Sequence, residues 1–251
     1  MLRALATHPF GVEAFFRRSL VLTYALPADR LAGLVGPGLV VDAYDDWGFL
    51  AIAMVETQAL RPRGLPRWMG RDFFLSGYRI FTRFERPGKQ TLRGLRILRS
   101  DTNRRSMASL GNLFTTYNYS LADVRVTADD AQLHIVIRTP HHEADLDVTA
   151  DLQRHAQAAL PDGSPFRTME DARSFAGPLP YTFHYDAAVR KMVVVRGLRQ
   201  AWDPRPVAVT VREATFLKGA ELGDTEARLA NAFYLEDVPY SWKAGTLEAI
   251  A

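Results

Sequence analysis

Hydrophobic and polar positions alternate along most of this chain, and helical spacing is confined to a few short stretches. Ser19 to Ala25 (SLVLTYA) reads as a strand. Pro27 to Val35 reads as a short helix, with Pro27 suited to the first turn and Leu31, Leu34 and Val35 on one face. Gly36-Pro37-Gly38 stops it. Leu39 to Tyr44 and Gly48 to Gln58 read as paired strands around a tight turn, Asp45-Asp46-Trp47-Gly48. The apolar run Trp47 to Val55 marks the second of these as buried. After a loop rich in Pro, Arg and Gly (Arg61 to Arg71) come two long strands, Asp72 to Glu85 and Thr91 to Ser100, joined by a hairpin turn at Arg86-Pro87-Gly88-Lys89. Thr102 to Phe114 is predicted helical, with Met107, Leu110, Gly111 and Phe114 on one face and Asp101 or Thr102 as its cap. Strands resume at Tyr119 to Val126, Leu133 to Arg138, Ala144 to Asp151, Tyr181 to Tyr185, Lys191 to Arg196 and Val207 to Phe216, with a short helix at Thr168 to Ser174. Many antiparallel strands with few short helices make this a mainly β chain, α+β by content, built as a closed or double-sheet barrel. No repeat or linker divides it, so residues 1–251 are expected to form one domain.

Composition narrows the function classes. There are no cysteines, which removes disulfides, thiolate nucleophiles and Cys-based zinc sites. No apolar run reaches the roughly 18 residues of a membrane-spanning helix, and the N-terminus has no secretory pattern. A cytoplasmic protein with no membrane partner is expected. The net charge is +3, with Lys89, Lys191, Lys218 and Lys243 the only lysines among 31 basic residues. The arginines are spread along the chain among 28 acids, which reads as compositional bias, and no nucleic-acid partner is expected. Arg93, Arg96, Arg99, Arg104 and Arg105 form the densest cluster, either a solvated face or the rim of an anion site.

Few residues offer chemistry. Arg79 lies among Phe73, Phe74, Tyr78, Ile80 and Phe81, and strict alternation points it with Gly77 and Phe81. It faces either solvent or a cavity, and in a cavity a guanidinium must be paired, by an anionic ligand or by an internal acid such as Asp45 or Glu56. Tyr119 can move a proton if a cation, with Arg79 as the candidate, lowers its pKa. His141, Glu143 and Asp145 share a face on an extended strand, but Thr139-Pro140-His141-His142 reads as an exposed turn, so no metal site is expected. His184 reads as a structural histidine. The aromatic tail Phe233 to Trp242 can pack on the barrel or serve a contact in a homo-oligomer.

The segment Ser109 to Leu121 (SLGNLFTTYNYSL) resembles the one that carries the catalytic lysine pair in acetoacetate decarboxylases. Gly111, Tyr117 and Leu121 keep the family's spacing, while Tyr119 and Ser120 stand where the two lysines belong. Upstream, Pro27-Ala28-Asp29-Arg30-Leu31, the Gly-Pro-Gly turn, Asp42 to Gly48, Tyr78-Arg79-Ile80-Phe81 and Leu98 to Arg104 follow in the family's order. The chain thus resembles an uncharacterised branch of the acetoacetate decarboxylase-like superfamily, without the catalytic lysine. The resemblance implies a cone-like β-barrel with an interior pocket, and it places the family's assisting glutamate near Arg79. Tyrosine forms no imine and serine depresses no neighbour by charge repulsion, so Schiff-base decarboxylation is not expected here unless a displaced lysine such as Lys191 supplies it. The expected function is binding of a small anionic or carbonyl ligand in a pocket lined by Arg79, Tyr117, Asn118, Tyr119 and Ser120, with no cofactor. The alternative is a lyase, isomerase or hydratase in which Arg79 and Tyr119 are catalytic, Arg79 binding a carboxylate or enolate and Tyr119 transferring the proton.

Overall fold

A computed structural model describes residues 6–153, 159–177, 179–199, 202–220, 222–223 and 225–250. In chain order the elements are β1 (Val12–Pro27), α1 (Ala28–Val35), β2 (Leu39–Val41), β3 (Trp47–Pro62), β4 (Arg71–Phe84), β5 (Leu92–Thr102), α2 (Arg105–Phe114), β6 (Tyr119–Leu121), β7 (Asp123–Ala128), β8 (Gln132–Arg138) and β9 (Leu146–Asp151). There follow α3 (Met169–Ala176), β10 (Tyr181–Asp186), β11 (Lys191–Arg199), β12 (Arg205–Pro206), β13 (Ala208–Ala214), β14 (Arg228–Trp242) and β15 (Thr246–Ala249). The mainly β expectation holds.

The larger sheet closes on itself. β14, β1, β3, β4, β5, β10 and β11 are neighbours in that order, and β11 returns to β14 through Gly197↔Trp242, Leu198↔Ser241 and Arg199↔Tyr240. All pairs in this ring are antiparallel except β5 with β10. Closure removes the open edges that a sheet of this length would otherwise expose. A second, antiparallel sheet of order β13-β9-β8-β7 lies against the outside. Its inward residues Leu133, Ile135, Ile137, Leu146 and Val148 pack with Leu20, Leu22, Leu50, Ile52, Met54 and Ile80. The period of two sends the intervening residues of β1, β3 and β4 into the ring. β3 is therefore covered on both faces, which explains the unbroken apolar run in its sequence.

The two ends of the ring differ. One is plugged by α3, whose N-terminus carries a full capping box: Asp171 N–H donates to Thr168 Oγ1 and Thr168 N–H to the Asp171 carboxylate. Phe166 and Phe175, flanking and within that helix, meet Phe49 and Phe81 from the strands; Phe49 stacks on Phe166 at 5.0 Å. At the other end lies α2, and His8 N–H donates to Phe114 O while Gly245 N–H donates to His8 O, tying the N-terminal segment beside it.

Several sequence-based boundaries shift. β2 pairs with β4, not with β3, and only an isolated bridge joins Tyr44 to Trp47. The reason is that both edges of β3 are already taken by β1 and β4. The expected strand 119–126 is broken at Ala122: β6 joins the ring beside β5 and β7 starts the second sheet. The helix expected from Thr102 begins at Arg105, and neither Asp101 nor Thr102 caps it in the usual way, because both belong to β5. The aromatic tail is not an appendage but ring strand β14.

Candidate functional site

At the α2 end the ring encloses a cavity of about 300 Å³, at the small end of ligand pockets. Small interior residues leave the space: Ser19 on β1, Ala53 on β3 and Ser100 on β5 all line it. Ser100 reaches the interior because Leu98 is bulged out of the β4–β5 register, which reverses the strand's facing beyond Ile97.

Arg79 enters this cavity from β4. It shares its side with Gly77, where a Cβ would sit 2.9 Å from Arg79 Nε. Only glycine there lets the guanidinium lie back along the strand. Burial pushes the Arg79 pKa down, with Tyr240 and Tyr119 opposing and Arg199 adding to the depression. Among the described residues no carboxylate pairs with Arg79, and its Nε has no hydrogen-bond partner. The internal acids expected as partners are elsewhere: Glu56 pairs with Arg18 at 3.3 Å and Asp45 is exposed in its turn. Three of the clustered arginines, by contrast, have partners. Arg93 Nε meets Asp42 at 2.6 Å, Arg96 meets His184 Nδ1 at 3.0 Å, and Arg99 bridges Asp101 and Glu143 at 2.8 and 2.7 Å.

Tyr119 and Tyr117 face the cavity with Arg79. The Tyr119 ring lies over Gly111 of α2, where any Cβ would collide with it. Asn112 fixes the segment from both sides, its Oδ1 accepting from Tyr119 N–H at 2.7 Å and its Nδ2 donating to Tyr119 O at 2.9 Å. Burial pushes the Tyr119 hydroxyl up to about 12, and the nearby Arg79 pulls it down only in part. The expected lowering of this pKa is therefore reversed: Tyr119 is a phenol at neutral pH, a proton donor rather than a resting base. Tyr117 is likewise raised by burial. Asn118 and Ser120 do not line the cavity, contrary to the sequence expectation. Asn118 takes a left-handed conformation (φ 52°), is exposed, and donates from Nδ2 to Leu98 O. Ser120 alternates away from Tyr119 in β6.

Sequence reasoning missed further polar residues here, among them His8, Arg199 and Trp202. Arg199 ends β11, donating from one terminal nitrogen to Leu179 O (3.3 Å) and Tyr240 Oη (3.2 Å), while its guanidinium carbon lies 4.3 Å from the Trp202 ring centroid and 5.1 Å from that of Tyr240. No carboxylate pairs with it among the described residues. Burial holds His8 at about 4, so it is neutral. Buried polar atoms without partners concentrate here: His8 Nε2, Thr57 Oγ1, Arg79 Nε, Arg199 Nε and Trp202 Nε1 all belong to lining residues. Native interiors rarely leave such atoms unpaired.

All four lysines are exposed and none lines the cavity. Lys191, the displaced candidate, starts β11 opposite Ala249. The His141–Asp145 segment forms the expected turn, with His142 Nδ1 on Asp145 at 2.8 Å and Glu143 on Arg99, and among the described residues no cluster of His, Asp or Glu is arranged to hold a metal.

Solved structures of similar fold include acetoacetate decarboxylases. An acetoacetate decarboxylase-like enzyme from Sphingomonas wittichii RW1 superposes with a TM-score of 0.60 at 15% identity, over 95% of this chain and 92% of that one. Acetoacetate decarboxylase from Legionella pneumophila gives 0.60 at 12%, over 98% and 90%. The enduracididine biosynthesis enzyme MppR, complexed with pyruvate, gives 0.59 at 9%, over 95% and 90%. A search of curated proteins finds no sequence match. The model of DUF2071, described as an uncharacterized conserved protein, matches residues 13–239, and the chain therefore belongs to that family.

Proposed function

We propose that the protein binds a small carboxylate or other oxyanion inside the ring, with Arg79 as its anchor. The observation that carries this reading is a guanidinium turned into a cavity with no acid beside it. A buried charge without a counter-charge is expensive, and a carboxylate supplies the missing partner through paired N–H donors. Tyr119, as a phenol, adds a hydroxyl donor at the same oxygen, and Tyr117 shapes the wall. Apolar residues such as Val21, Val55 and Leu95 suit a ligand with a hydrocarbon body. MppR holding pyruvate on the same fold agrees with a small carboxylate. The exposure of every lysine supports binding without a Schiff base.

A second reading adds turnover. A ligand enolate bound at Arg79 lies within the field of a phenol that holds its proton up to about pH 12, so Tyr119 is suited to deliver that proton to carbon or oxygen as in a lyase, isomerase or hydratase.

The test is calorimetric titration with short carboxylates at pH 7. Arg79→Gln is expected to weaken binding about tenfold or more. Unchanged binding in that variant overturns the reading. Borohydride treatment in the presence of a 2-oxo acid is expected to leave no covalent adduct, and an adduct would restore imine chemistry. Tyr119→Phe separates the two readings, since in the first it weakens binding only by the loss of one hydrogen bond and in the second it abolishes turnover.

A further inference from the structure

We infer that the ligand carries two anionic groups joined by a short apolar body, the first held by Arg79 and the second by Arg199. This rests on the anion-binding reading above and extends it to the class of ligand. Arg199 is built as an anchor. Leu179 O and Tyr240 Oη fix one terminal nitrogen, and the Trp202 and Tyr240 rings both lie within cation–π range of the guanidinium. Those contacts leave Nε without a partner among the described residues, so its N–H remains for a ligand.

The two arginines belong to one site. They line the same cavity from different strands, β4 and β11, and Arg199 is close enough to depress Arg79. Of the four arginines that line the cavity, Arg61 pairs with Glu13 at 2.6 Å and Arg71 is exposed to solvent, so Arg79 and Arg199 are the two like charges held inside with no acid among the described residues to neutralise them. A monoanion leaves one of them unbalanced, whereas a dianion pairs both. The interior between them is lined by Val21, Val55, Leu95 and Ile97, which fits methylenes or a ring rather than further charge. The volume of about 300 Å³ limits the body to a few carbons.

The experiment uses the full chain and compares succinate, glutarate and adipate with butyrate, valerate and hexanoate by calorimetry at pH 7 and fixed ionic strength. At least one diacid is expected to bind roughly tenfold tighter than the monoacid of equal length. Arg199→Gln is expected to lower diacid affinity far more than monoacid affinity and so erase that advantage, and Arg79→Gln to weaken both. Equal affinity for mono- and diacids in the wild type overturns the inference and leaves the anion-binding reading standing. Loss of monoacid binding in Arg199→Gln also overturns it, because Arg199 would then share the first anchor. If no acid binds the wild type, or Arg79→Gln changes nothing, both readings fall. Arg199→Lys, which keeps charge but not the fork, is expected to retain part of the diacid preference, and its circular dichroism controls for folding. Should neither Arg199 variant fold, the wild-type ratio alone decides.

Discussion

The two ends of the ring interior are made from the same strands and the same alternation, yet one is solid and the other hollow. At the α3 end, Phe49 and Phe81 project from β3 and β4 and meet Phe166 and Phe175. At the α2 end, the corresponding inward positions are Ala53, Gly77 and Arg79, and the space stays open. The strands decide which residues face in. Side-chain volume then decides whether the interior becomes core or pocket. The hollow end also holds several of the unpaired buried polar atoms, among them Arg79 Nε and Arg199 Nε.

Substitutions at the two ends should therefore have opposite signs. The largest effect is expected for Phe49→Ala at the solid end. It removes a fully buried ring stacked on Phe166 and should cost about 3–5 kcal/mol. The melting temperature should fall by about 10 °C with cavity ligand binding retained. At the hollow end Arg79→Met should instead stabilise the free protein by about 1–3 kcal/mol, because an uncompensated buried polar group is lost, while ligand binding disappears. Calorimetric melting of the two variants checks both, and a destabilised Arg79→Met would break the comparison. Gly111→Ala comes next. Its Cβ collides with the Tyr119 ring, and overpacking of about 1–3 kcal/mol is expected together with weaker binding. The smallest effect is expected for Ser120→Ala, whose side chain points away from the cavity; binding and melting should both match the wild type.

The pH dependence sharpens the same contrast. His8 beside the cavity and His184 on β10 are held at about 4 by burial, against 6.5 in the unfolded chain. Between those values the unfolded chain binds more protons than the folded one. Stability should therefore decline as pH falls from about 6.5 to about 4, and the decline ends once both forms are protonated. His8→Gln should flatten part of that slope in urea titrations run at each pH. An unchanged slope would show that His8 keeps its proton in the fold.

Much of this was legible in the chain. The alternation gave most strands of both sheets, though not β12, β14 or β15 and only the second half of β1, and the turn at Arg86 to Lys89 closes as read, with Lys89 N–H on Arg86 O. The Gly111-to-Tyr119 spacing has a local cause, a ring seated on a helix that lacks a side chain there. Arg79 was legible because alternation over β4 is regular up to its bulge opposite Leu98. Asn118 and Ser120 were misplaced because a motif's neighbours in sequence are not its neighbours in space: in an extended segment every second residue turns away.

Local patterning alone thus determined that the chain would form antiparallel strands, which short stretches would be helical, and that neither Tyr119 nor Ser120 could form an imine. Those properties depend on residues a few positions apart or on side-chain chemistry itself. Only the tertiary structure decided that β11 closes onto β14, that the aromatic tail is a strand of the ring, and that Arg199, Trp202 and His8 share one cavity with Arg79. Arg79 and Arg199 are 120 positions apart in sequence. No periodicity relates them. Their meeting depends on the register of each successive strand pair and on the closure of the sheet, which is a property of the whole packed ring.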